Sequence, residues 1–124
     1  MTKMNPEWKA KWLAALRSGE FKQGNGYLNR DGGFCCLGVL CELVAREGQT
    51  TKHVDEDGAT HYARSGRCAS LPYEIVELTG MVAWGSFGDF EIDSPFLSGA
   101  TSLSAANDQG ATFQQIADFI EKEF

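Results

Sequence analysis

Over residues 35–46 the chain reads Cys-Cys-Leu-Gly-Val-Leu-Cys-Glu-Leu-Val-Ala-Arg, and Leu37, Val39, Leu40, Cys41, Leu43 and Val44 leave the segment apolar almost all round. A helix without a polar face has to be enclosed by other elements. The rest of a 124-residue chain is therefore required to wrap this one segment, which fits a single domain spanning 1–124. Small residues at Cys36, Gly38 and Cys41 suit close packing, and Gly48 stops the helix.

The flanking segments carry helix signals of their own. Asn5-Pro6-Glu7 supplies an N-cap, a proline at the first helical position and an acid at the positive dipole end; Trp8, Trp12, Leu13 and Leu16 then recur at helical spacing to Ser18-Gly19. Residues 70–74 (Ser-Leu-Pro-Tyr-Glu) start a further helix, with Ile75, Val76 and Leu78 facing inward and Thr79-Gly80 as its stop. Thr112-Phe113-Gln114-Gln115 forms a capping box before a last amphipathic helix over 112–124, whose apolar face is Phe113, Ile116, Ala117, Ile120 and Phe124. Between residues 50 and 65, Asp57-Gly58 lies between two β-prone triplets and predicts a hairpin that brings His53 near His61. The glycine-rich residues 19–33 read as loop with a short strand after Gly26, and 81–101 as irregular and aromatic. The fold expected is α+β: a small single domain of about four helices around a central apolar helix, with a short β-hairpin or small antiparallel sheet.

Charge and composition narrow the functional classes. Net charge is −6, and no segment concentrates Lys or Arg, which argues against direct nucleic-acid binding. No window approaches the roughly 18 apolar residues of a membrane span, and the N-terminus lacks the pattern of a secretion signal, so reduced thiols in a cytoplasm are expected. Cys35, Cys36, Cys41, His53, His61 and Cys68 show neither C-x-x-C nor H-x-x-x-H spacing, so neither metal nor cofactor is expected.

Two sets of residues carry possible chemistry. Cys35 and Cys36 stand at a helix start behind a Gly-Gly loop, where backbone N–H groups favour a thiolate; with His53 or His61 as base and Asn107 or Asp108 as orienting group they would make a cysteine-dependent hydrolase. The second set is aromatic. Trp84, Phe87 and Phe90 lie among glycines and small residues, and with Tyr27 and the turn-forming Asn107-Asp108 they form a candidate recognition surface. Arg64, Arg67 and Lys22 are available for phosphate contacts.

Several sequence words resemble a family of small uncharacterised bacteriophage, prophage and bacterial proteins. They are the run from Trp12 to Gly24, Phe34-Cys35-Cys36-Leu37-Gly38-Val39-Leu40-Cys41, Leu71-Pro72, and Asn107-Asp108 with Gly110, Thr112-Phe113 and Ile116-Ala117. The resemblance implies a phage origin and action in the host cytoplasm, and brings no activity or catalytic residues with it. A binding protein is the favoured reading over an enzyme. Its partner would be a host protein, with antagonism of host defence as the consequence, or a sequestered nucleotide-like small ligand. The hydrolase and a structural accessory protein are the alternatives.

Overall fold

The computed structural model describes residues 4–24, 27–63, 71–81 and 103–123. Helix α1 (Pro6–Ser18) begins where Asn5 Oδ1 accepts the N–H groups of Glu7 and Trp8 at 2.9 and 3.3 Å, and ends at Gly19 in the left-handed region. Three short strands follow: β1 (Lys22–Gln23), β2 (Asn29–Arg30) and β3 (Gly33–Phe34). They form a sheet ordered β1-β3-β2, with β1 parallel and β2 antiparallel to β3. The β2–β3 hairpin turns through Asp31 and Gly32, both at positive φ (52° and 83°), the combination a two-residue type I′ turn demands.

Helix α2 (Cys36–Arg46) is the centre of the molecule, as its composition requires. Cys36 through Glu42 and Val44 are buried. Around it pack α1, with buried Trp8, Trp12 and Leu16, and α4 (Leu103–Asp108), followed by α5 (Phe113–Glu123) lying along α1. Trp12 Nε1 donates to Cys36 O at 2.9 Å, which gives the buried indole its partner and fixes α1 against the start of α2. On the outside, Arg17 bridges Asp118 and Glu121 of α5 at 2.8 and 3.0 Å. The Thr112 capping box forms as expected: Thr112 N donates to Gln115 Oε1 and Gln115 N to Thr112 Oγ1.

The expected hairpin is β4 (Lys52–Val54) paired with β5 (Thr60–Tyr62), in a register that sets His53 opposite His61. It joins the first sheet through a bridge between Arg30 and Ala59 and a hydrogen bond from Asp31 N to Gly58 O (3.1 Å). Underneath, Glu42 places a buried carboxylate in the middle of α2. Lys52 Nζ reaches both its oxygens at 2.6 and 2.7 Å, and Tyr62 OH donates to it at 3.4 Å. One buried charge thus holds the hairpin to the core helix. Helix α3 (Tyr73–Thr79) closes the open end of α1, with Asn5 N donating to Thr79 O at 2.7 Å.

The α+β expectation stands, with two additions. Residues 103–108, read from sequence as part of a turn, form α4, so the described residues hold five helices. The glycine-rich loop contains a three-stranded sheet with one parallel pair, where only a short strand was expected.

Candidate functional site

The crossing of residues 27–30 over α2 fixes one wall of the site. Leu28 is fully buried, and its carbonyl oxygen accepts Cys35 N–H at 3.2 Å. A Cβ on Gly38 would lie 1.6 Å from that oxygen, so the approach is possible only because residue 38 has no side chain. The other wall is β1. Gly24 N donates to Phe34 O at 2.7 Å, bringing the Gly24 and Gly33 backbones close together.

Between these walls lies an open cleft of about 570 Å³ lined by Lys22, Gln23, Gly24, Tyr27, Arg30, Asp31 and Gly33. A second hollow of about 410 Å³, lined by Gln23, Gly24, Asn107 and Gly110, shares two of those residues. The Arg30 guanidinium lies 4.8 Å from the centre of the Tyr27 ring, and its Nε donates to Asp57 O at 3.4 Å. Asp31 is a looser neighbour of Arg30, at 3.8 Å. Among the described residues no carboxylate pairs with Lys22.

Asn107 is buried and joins distant segments. Its Nδ2 donates to Gly24 O at 2.8 Å, while Gln23 Nε2 donates to Asn107 Oδ1 at 2.9 Å and to Ala111 O at 2.7 Å. Of the residues assigned to ligand binding from sequence, Tyr27 and Asn107 line this double cleft. Asp108 is exposed at the end of α4, and its charge is felt at the start of α2, where it helps raise the Cys35 and Cys36 thiols. Trp84, Phe87 and Phe90 lie outside the described residues, as do Arg64, Arg67 and Cys68.

The cysteine set has a different environment from the one a nucleophile needs. Cys35 is the N-cap of α2, its Sγ accepting Gly38 N–H at 3.4 Å, and Cys36 Sγ donates to Leu103 O at 3.5 Å. Burial pushes the Cys35 thiol up to about 11, outweighing the backbone N–H groups that pull it down. Burial raises Cys36 and Cys41 well above the ordinary range too. All three are neutral thiols near pH 7. His53 and His61 stack across the hairpin with ring centres 5.0 Å apart, and His61 Nε2 lies 2.7 Å from Asp55 Oδ2. Among the described residues no hydrogen bond joins a histidine to a thiol, and no group of three or more His, Cys, Asp or Glu is placed to hold a metal ion.

Sequence reasoning named Lys22 but not Gln23, Gly24, Arg30 or Gly110 as part of a site. The available signal was Asp31-Gly32, which has the same turn chemistry as Asp57-Gly58 and places Arg30 at a hairpin shoulder.

No described helix is long and apolar enough to cross a membrane. Comparison with curated proteins and with solved structures returns no match. Residues 4–124 match the family described as Domain of unknown function (DUF8296), which covers the double cleft and the core helix alike, and the chain belongs to that family.

Proposed function

We propose that the protein is a binding protein rather than an enzyme, and that the cleft beside β1 and β3 takes a small anionic, nucleotide-like ligand. The observation that carries this reading is the placement of Arg30 on Tyr27 in a cleft that Lys22 also lines. A guanidinium lying over an aromatic ring is held in place and keeps its N–H edge for a phosphate. Two cations against one carboxylate, Asp31, leave this hollow net positive in a chain of net charge −6, and about 570 Å³ is within the usual size of small-molecule sites. The phage origin and host-cytoplasm location implied by the sequence resemblance give the binding a purpose: withholding the ligand from a host defence.

The test is calorimetric titration of the protein with pyrophosphate and with nucleoside monophosphates. Binding is expected for at least one of them, and Arg30→Met should weaken it by roughly tenfold or more, the scale of a lost charge-assisted hydrogen bond. If none of these anions binds, the proposal fails. A host protein captured through the aromatic segment around Trp84, with Arg30→Met harmless, would replace it with the other binding reading.

A further inference from the structure

We infer that the ligand of this cleft carries two joined phosphoryl groups, laid across Gly33 with one on Arg30 and the other on Lys22; this rests on the reading of the cleft as an anion site. Strand register places the two cations. Gly33 of β3 is paired with Lys22 of β1 on one side and with Arg30 of β2 on the other. Residues directly opposite one another share a face of the sheet, so Lys22, Gly33 and Arg30 form one row. The next row, Gln23, Phe34 and Asn29, takes the other face. Its contacts agree: Gln23 reaches Asn107 and Ala111, Phe34 meets the Phe21 ring edge-on at 5.1 Å, and Asn29 Nδ2 donates to Tyr62 OH at 3.3 Å. The cation row faces out, with Lys22 and Arg30 exposed.

The middle of that row is bare backbone. Gly33 has no side chain, the atom nearest to where its Cβ would stand is Gly24 Cα at 3.3 Å, and both glycines line the cleft. Two strand spacings put Lys22 and Arg30 roughly 10 Å apart at the backbone. Arg30 does not shorten that gap. Its Nε donates to Asp57 O in the β4–β5 turn, and that hairpin meets β2 on the edge away from β3, through the Arg30–Ala59 bridge. Asp31, the carboxylate lining the cleft, lies 3.8 Å from the same Nε and turns its Oδ1 toward Gly58. The Nη edge of the guanidinium is left without a hydrogen-bond partner among the described residues, as is the Lys22 ammonium. One phosphoryl group with a hydrogen bond of about 2.8 Å on either side joins cations roughly 8 Å apart. A second phosphoryl group in line supplies the remainder. The fork of Arg30 takes one group through two hydrogen bonds and Lys22 takes the other as a point charge. Gly33 leaves room for the oxygen that joins them.

The experiment titrates the full chain with AMP, ADP, pyrophosphate and adenosine 3′,5′-bisphosphate by calorimetry. ADP should bind roughly tenfold or more tightly than AMP, the scale of one charge-assisted hydrogen bond. Lys22→Met, a change at an exposed position, should weaken ADP more than AMP and bring that ratio close to one. Adenosine 3′,5′-bisphosphate carries at least the charge of ADP but sets its phosphates apart on the ribose, so it should bind more weakly than ADP. A ratio near one in the unaltered protein overturns the inference, and so does a ratio that survives Lys22→Met. The bisphosphate binding as tightly as ADP overturns it too, because the cleft would then answer to charge alone. Each of these outcomes spares the anion site, whereas no binding by any of the four sinks the anion site itself. Pyrophosphate as tight as ADP upholds the inference with the diphosphate alone recognised; weaker pyrophosphate upholds it with the nucleoside adding contacts.

Discussion

Replacing Gly38 with alanine sets helix propensity against close packing, and the two predict opposite signs. Gly38 lies inside α2, where alanine is intrinsically better by about 1 kcal/mol. On propensity alone the variant should be more stable. The new Cβ, however, would stand 1.6 Å from Leu28 O, 2.4 Å from Leu28 C and 3.0 Å from Leu28 Cα. The obstacle is backbone, which cannot rotate away as a side chain does. To bring that contact to even 3 Å, the Leu28 carbonyl must retreat by about 1.4 Å. Doing so breaks its 3.2 Å hydrogen bond from Cys35 N and disturbs a fully buried leucine. Overpacking of a rigid core costs about 1–3 kcal/mol, and an unpaired buried N–H about 1–3 more. Subtracting the propensity gain leaves a net loss of roughly 1–5 kcal/mol, out of the 5–15 a domain usually possesses. At roughly 3–5 °C per kcal/mol for a chain of this length, Tm should fall by about 3–25 °C. Scanning calorimetry, or thermal melts followed by circular dichroism, measures this directly. A Tm equal to or above that of the unaltered protein would refute the close-approach argument.

Three further outcomes follow from the same structure. Lys52→Met should destabilise by about 1–3 kcal/mol because it strands the buried Glu42 carboxylate, discounted for the half-exposed ammonium; Glu42→Gln should cost less, and the reverse order in urea melts would show that the pair is not what holds the hairpin. Asp55 is held below its ordinary range, first by His61 and then by the N–H groups of Ala59 and Asp57. A lowered carboxyl stabilises the fold above its ordinary pKa and stops doing so as pH falls through the folded value, so the stability gap to Asp55→Asn should narrow from about pH 5 downward, and a gap independent of pH would contradict it. With Cys35 pushed up to about 11 and Cys36 and Cys41 also raised, iodoacetamide at pH 8 should leave all three unlabelled in the folded protein and label them in guanidinium, as read by peptide mass spectrometry. Rapid labelling of Cys35 in the folded state would restore the case for a nucleophile.

What was legible from sequence is what local chemistry decides. Asn5, Thr112 and Gln115 cap their helices because a short polar side chain before an apolar run has an unsatisfied N–H within reach. The enclosure of α2 followed from its lack of a polar face. The pairing of His53 with His61 followed from one Asp-Gly turn. The sheet of β1, β2 and β3 was missed because each strand has two residues, too few for any period to show. Helix α4 was missed for the same reason, having only six residues. The role of Asn107 lay beyond local reading altogether: Gln23 and Gly24 are more than eighty residues away, and only the packing of α4 against α2 brings them together.

The contacts of Phe34–Cys41, Gln23-Gly24 and Asn107 form one mechanical chain. Gly38 admits the Leu28 carbonyl to the surface of α2, and Cys35 N–H holds it there; this places Tyr27 and Arg30 on either side of the crossing. Phe34 follows directly before Cys35 and accepts from Gly24, which places β1. Asn107 then takes Gly24 O with one end of its amide and orients Gln23 with the other. Tyr27 and Arg30, through Leu28, and Gly24, through Phe34, are therefore referred back to the start of the buried helix. The segment that looked most like a catalytic elbow is the reference from which the cleft is positioned, and its thiols are buried in the core. On this account Gly38→Ala should damage the cleft in whatever fraction still folds, because the Leu28 displacement carries Tyr27 and Arg30 with it. A destabilising change of similar size away from the Leu28 crossing, such as Ile120→Ala in α5 at about 2–5 kcal/mol, should lower Tm and leave the ligand affinity of the folded fraction intact. Equal affinity losses in the two variants would break the link between core and cleft.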